Sequence, residues 1–79
     1  MIVPVRYFAT LSEEALTSEE VVETSAGTVA ELWRELCLRH PFSLDERHIL
    51  AAQADEFCPW DGKLVPGMTV VFMPPVAGG

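Results

Sequence analysis

The sequence predicts an α+β domain in which one main helix packs across a small mixed β-sheet. The helix is indicated by Thr28 and Glu31, which have the spacing of a capping box, and by apolar residues at helical spacing: Val29, Leu32, Trp33, Leu36 and Cys37. The sheet is indicated by short alternating segments and by an almost uninterrupted apolar run at residues 68–73, which is typical of a central strand covered on both faces. Because 79 residues can build only one core, we expect a single domain.

Shorter patterns predict the other elements. The first strand, at residues 2–9, alternates so that Arg6 and Phe8 lie on the face opposite Tyr7. Pro41 ends the main helix, because proline cannot continue it. The remaining elements are a short helix at 11–16 capped by Ser12, strands at 21–22, 49–52 and 57–58, and turns at 53–56, Asp61-Gly62 and Pro66-Gly67, with Leu64 buried between the last two.

The charge balance excludes some partners. Twelve Asp and Glu stand against five Lys and Arg, for a net charge of -7, and nucleic acids and membrane surfaces are also anionic. The acidic surface serves either solubility alone or steering onto a basic protein partner, and charge does not decide between the two. The sequence has no secretory signal and no apolar run of about 20 residues, so we expect a cytoplasmic protein.

Catalytic and metal-binding motifs are also missing from the sequence. Cys37 and Cys58 form no metal-type cluster, and Cys37 is expected to act as a small hydrophobe on the apolar side of the helix. His40 and His48 lack the spacing of metal ligands. We therefore expect neither a metal nor a permanently bound cofactor.

The carboxyl-terminal segment differs from the rest of the chain. Two prolines prevent the last strand from continuing, and two glycines leave the end without side chains: Pro74, Pro75, Val76, Ala77, Gly78 and Gly79. Six extended residues reach on the order of 20 Å, which suits delivery of a terminal carboxylate into another protein's active site. We therefore divide the chain into a domain at residues 1–73 and a mobile Gly-Gly tail at residues 74–79. A frayed terminus is the alternative.

Residues 5–9, 28–32 and above all 66–79 resemble the small subunit of molybdopterin synthase, the MoaD-type sulfur carrier with the ubiquitin-like β-grasp fold. The resemblance implies that an E1-like enzyme uses ATP to adenylate the Gly79 carboxylate, and that a sulfur donor then displaces AMP to leave a thiocarboxylate. It further implies that the tail enters the large subunit, within a heterotetramer of two small and two large subunits. There the sulfur passes to the pyranopterin precursor of the molybdenum cofactor. The chain itself would be a non-catalytic carrier.

The resemblance also places a partner contact on the sheet face opposite the helix. Phe8, Phe57 and Met73 are expected there, and the tail residues Pro74 to Ala77 would continue the contact. A loop covering this apolar patch is the alternative. Without its large subunit, the chain is expected to self-associate through the patch. Ala54, where the family often has asparagine, and Pro59-Trp60 depart from the pattern and bear on partner specificity.

Three other functions remain open at this point. A sulfur carrier for thiazole synthesis shares the fold and the Gly-Gly chemistry. A ubiquitin-like modifier would join Gly79 to protein lysines, and this chain has a single lysine, Lys63, for self-linkage. An interaction domain with an inert tail would keep its function after loss of Gly78 and Gly79.

Overall fold

The computed structural model describes residues 1–75 and contains five strands and two α-helices in that range. In chain order the elements are β1 (Ile2–Tyr7), α1 (Thr10–Ala15), β2 (Glu19–Glu23), α2 (Val29–Arg39), a 3₁₀ turn (Glu46–His48), β3 (Leu50–Gln53), β4 (Glu56–Cys58) and β5 (Val70–Met73). The strands form one sheet in the order β2-β1-β5-β3-β4. Strands β1 and β5 are parallel and the other pairs are antiparallel, so the sheet is mixed, as predicted.

Helix α2 begins with the predicted capping box. The Thr28 hydroxyl accepts a hydrogen bond from the Glu31 amide at 3.2 Å, and the Glu31 carboxylate accepts from the Thr28 amide at 3.1 Å. Two more amides at the helix start, those of Val29 and Ala30, donate to carbonyls of the segment at residues 60–62 at 3.0 and 2.9 Å. The backbone N–H groups that a helix leaves without an internal partner are therefore satisfied by protein groups here.

The core lies between α2 and one face of the sheet. The Trp33 indole packs on Phe42, with ring centroids 4.8 Å apart, and on Phe72 of β5, at 5.1 Å. Leu64 is buried as predicted. The other buried apolar residues of α2, β1 and β5 are Val3, Val5, Tyr7, Val29, Leu32, Leu36 and Val70. Burying this face of a five-stranded sheet is the main stabilising contribution, because burial of apolar surface dominates folding.

Three details of the sequence prediction are wrong. Cys37 is exposed, because at 100° per residue it lies about 90° around α2 from the centre of the buried stripe. Ser12 does not cap α1: the N-cap is Ala9, which has a positive φ of 52° with ψ -130°, and the Ser12 hydroxyl donates to the Ala9 carbonyl at 2.7 Å. Strand β5 is central but covered on one face only, so Val70 and Phe72 are buried while Val71 and Met73 stay half-buried.

None of the helices within residues 1–75 is both long and apolar enough to cross a membrane.

Candidate functional site on the open face of the sheet

The sheet face opposite α2, here called the open face, has a concavity of ≈ 540 Å³. Its lining residues come from β1, β3, β4, β5 and the turns beside them: Arg6, Phe8, Ala52, Ala54, Asp55, Phe57, Met68, Thr69, Val71 and Met73. Because successive side chains of a strand point to opposite faces, these residues alternate with the buried residues of the same strands. Helix α2 covers one side of the sheet, and the other side is exposed to solvent.

Strand pairing brings the predicted contact residues together. Val71 lies between Arg6 of β1 and Ala52 of β3, and Ala52 pairs with Phe57 of β4. Met73 extends the same face toward the end of β5. A continuous apolar strip therefore crosses three strands, and residues distant in sequence become neighbours.

Two aromatic rings of the open face are exposed to solvent. Phe57 is 70% exposed and Phe8 is 44% exposed, while Met73 is half-buried. The described part of the chain provides no loop that buries them, so the alternative of a covered patch is not supported within residues 1–75. Exposed aromatic side chains clustered on so small a domain are typical of an interaction surface.

The charged groups of the site are Arg6 and Asp55. The Arg6 guanidinium lies 5.8 Å from the Phe8 ring centroid, and its Nε is 3.9 Å from a carboxylate oxygen of Glu19 on β2. Asp55 lies in the β3–β4 turn, where it and Ala54 both have left-handed backbone angles of φ 65° and 52°. The sequence predicted Arg6 on the same face as Phe8, but neither Arg6 nor Asp55 was predicted as a site residue.

The start of the tail lies beside this concavity. β5 ends at Met73, and the chain then leaves the sheet through Pro74, which is half-buried, and Pro75, which is exposed. The remaining predicted tail residues, 76–79, lie outside the described residues. The predicted carrier group at Gly79 therefore stays a prediction.

Other reactive groups lie away from the open face. Partial burial raises the pKa of the Cys58 thiol, although its hydrogen bond with Gln53 lowers it. Partial burial and the nearby Glu46 carboxylate also raise the pKa of the Cys37 thiol, whose residue is otherwise exposed. Neither cysteine lines the concavity. Within residues 1–75, no group of three or more His, Cys, Asp or Glu side chains is arranged to hold a metal.

The five-stranded mixed sheet in the order β2-β1-β5-β3-β4, with α2 packed across one face, defines a ubiquitin-like β-grasp domain. Comparison with known proteins then gives the family: the chain belongs to the ThiS family, whose model matches residues 5–79. The expected ubiquitin-like sulfur-carrier family and β-grasp fold are thus confirmed. No curated protein matches the chain at a significant level.

Solved structures agree with this assignment. A Pyrococcus furiosus protein assigned as molybdopterin converting factor subunit 1 is 30% identical, with a TM-score of 0.80, over 96% of this chain and 99% of that one. SAMP1 from Haloferax volcanii is 24% identical, with a TM-score of 0.81, over 100% of both chains. A chain of a Helicobacter pylori complex between subunits 1 and 2 of molybdopterin-converting factor is 22% identical, with a TM-score of 0.71, over 100% of both chains. The last two support the fold alone.

Proposed function

We propose that this chain is a sulfur carrier of molybdenum cofactor biosynthesis, acting as the small subunit of molybdopterin synthase. The observation that supports this most is the 30% identity to a molybdopterin converting factor subunit 1 along almost the whole of both chains. The family match also extends to the terminal Gly79, the residue that the mechanism needs.

In this mechanism the Gly79 carboxylate is the working group. A carboxylate is a poor electrophile, so an E1-like partner first uses ATP to convert it to an acyl-adenylate. A sulfur donor attacks the carbonyl carbon, AMP leaves, and a thiocarboxylate remains. The thiocarboxylate is the better nucleophile, and within the large subunit it attacks the pyranopterin precursor. The chain supplies no catalytic side chain and holds no resident cofactor in this proposal. It acts in the cytoplasm, as the sequence predicts.

The geometry of the described domain is compatible with this role. β5 is the central strand and leads directly into Pro74, so the exit of the tail is anchored by hydrogen bonds to β1 and β3 on both sides. Phe8 and Met73 lie close to that exit on the open face. A partner that covers the open face would thereby hold the beginning of the tail in a defined direction. The Helicobacter pylori complex of two subunits supports the idea that a second protein is such a partner.

The test measures the intact mass of the purified chain after incubation with ATP, the adenylating enzyme and a sulfide source. We expect a gain equal to the replacement of one oxygen by sulfur. A variant lacking Gly78 and Gly79 is the control, since it keeps all of the described domain and should show no gain. Unchanged mass with an adenylating enzyme that is active on another carrier would refute the carrier function.

A second measurement distinguishes the acceptors. The thiocarboxylate form is incubated with the large subunit and the pyranopterin precursor, and formation of the dithiolene product is followed. A sulfur carrier for thiazole synthesis is the second candidate, because the matching family model is that of ThiS. Transfer of sulfur to a thiazole synthase, and none to the pterin, would select that candidate. An isopeptide bond from Gly79 to a protein lysine would instead identify a modifier.

A further inference from the structure

We propose that Arg6 is a specificity-determining residue of the open face, and that the large subunit covering this face presents a carboxylate to it. The inference rests on the proposed function for the identity of the partner. It adds the chemistry by which that partner is recognised: an acidic side chain set within a surface that also buries aromatic rings.

Arg6 has a central position on the open face. Cross-strand pairing places it between Glu19 on β2 and Val71 on β5, and the row continues through Ala52 to Phe57. Arg6 is also the one basic residue among those that line the concavity in the described part of the chain. A partner large enough to bury both Phe8 and Phe57 must therefore also cover Arg6.

The contacts that Arg6 makes within the chain are weak. Its Nε is 3.9 Å from Glu19, and the two side chains are 53% and 72% exposed. An ion pair so long and so exposed is largely screened by water and salt. The Phe8 ring at 5.8 Å holds the guanidinium near the concavity but does not satisfy its hydrogen-bond donors. Arg6 is thus oriented toward the surface without a strong partner in residues 1–75.

Docking changes the balance for this side chain. Burial of Phe8, Phe57 and Met73 favours binding only when water leaves the face, and the same step removes water from Arg6. A guanidinium covered by apolar atoms alone would oppose binding, whereas a carboxylate can accept two parallel hydrogen bonds from it. A surface with the acid therefore binds, and a similar surface without it is rejected.

This local requirement runs against the charge of the whole chain. The net charge of -7 steers the protein toward basic surfaces, yet the centre of the open face requires an acid. Few surfaces meet both conditions. The combination would separate the correct partner from other basic proteins that the acidic chain encounters.

The experiment measures the affinity of the full-length chain for the large subunit by calorimetry. Arg6→Met keeps an apolar side chain of similar length and removes the charge. We expect binding to weaken by about 30-fold or more, as truncation of one member of a desolvated ion pair does. Arg47→Met is the matched control: Arg47 is also exposed, pairs with Asp45 at 3.3 Å, and does not line the concavity. Its affinity should be unchanged.

The sign of the Arg6→Met effect decides the inference. Equal or tighter binding would mean that the partner covers Arg6 without a carboxylate, and would overturn the proposal. Circular dichroism confirms that each variant is folded. Absence of binding between the unsubstituted chain and the large subunit would also overturn the proposal. The carrier function is tested separately, by the mass gain on sulfur loading of Gly79.

A second copy of the chain is the competing occupant, because Asp55 on the same concavity could pair with Arg6 of another molecule. Sedimentation velocity at high protein concentration tests this. We expect any self-association through the apolar patch, which the sequence predicts, to persist in Asp55→Asn. A dimer that is lost in Asp55→Asn would assign the carboxylate to the chain itself and would overturn the inference.

Discussion

Replacing Glu20 by Gln tests a polar network that ties the edge strand β2 to the rest of the domain. The Tyr7 hydroxyl donates to Glu20 Oε2 at 2.6 Å, and His40 Nε2 lies 2.7 Å from the same oxygen. An ionised carboxylate can only accept, so the His40 ring carries its proton on Nε2. Tyr7 belongs to β1 and His40 is the C-cap of α2, so one carboxylate joins three elements.

The magnitude follows from this geometry. The Glu20 side chain is 21% exposed, and hydrogen bonds to a charged group in such a setting contribute about 1.5–3 kcal/mol. The amide oxygen of Gln remains able to accept one of the two bonds, so we expect the free energy of unfolding to fall by about 1.5 kcal/mol. For a domain of this size that loss lowers the melting temperature by about 6–12 °C.

The effect depends on pH in a defined direction. Burial of the Glu20 carboxyl raises its pKa, but the hydrogen bonds from Tyr7 and His40 outweigh burial, and the pKa is lowered overall. The ionised form therefore stabilises the folded state at pH values above the unfolded pKa of about 4.3, and this stabilisation is lost as the pH falls through the folded pKa. Burial, with the Glu20 hydrogen bond, raises the pKa of Tyr7, so its hydroxyl stays a donor throughout this range.

The assay is thermal unfolding of the two proteins from pH 7 to pH 3, followed by circular dichroism. The difference in melting temperature should be largest at pH 7 and should shrink below about pH 4. Glu23→Gln is the control, because Glu23 is exposed on the same strand. Equal melting temperatures of the Glu20→Gln variant and the parent at pH 7, or a difference that persists unchanged at pH 3, would refute the reasoning.

Three further outcomes are expected. Thr28→Ala removes the capping box and should lower the free energy of unfolding, measured in urea, by about 1 kcal/mol. Thr28→Ser is the control, because it keeps the hydroxyl. Equal stability of the two variants would contradict the role of the cap. Gly62→Ala should lower the free energy of unfolding by about 2 kcal/mol, because the new Cβ would lie 2.9 Å from the Pro59 carbonyl oxygen. An unchanged urea midpoint would count against that contact. Ala54→Gly should instead raise stability by about 1 kcal/mol, since Ala54 has a left-handed φ of 52°; a lower midpoint would mean that the turn gains more from the methyl group than it loses in strain.

Local patterns account for what was predictable. The start of α2 was predictable because a capping box is a contact between residues three apart, and its buried stripe because helical spacing needs only one helix. The β3–β4 hairpin and the burial of Leu64 followed from turn residues in the same way. Cys37 was assigned wrongly because periodicity gives a direction around the helix but not the width of the surface that covers it.

The sequence by itself determined the fold class and, through residues 66–79, pointed to the family, whereas the carrier role of the Gly-Gly end stays a prediction. The sequence placed Phe8, Phe57 and Met73 on one face of the sheet. Only the tertiary structure decided that Arg6 and Asp55 line a concavity with them, and that Glu20 bonds both Tyr7 and His40. These groups lie on different strands and on the end of a helix. Their distances depend on strand order and register, which arise from long-range pairing and which no short stretch of the chain encodes.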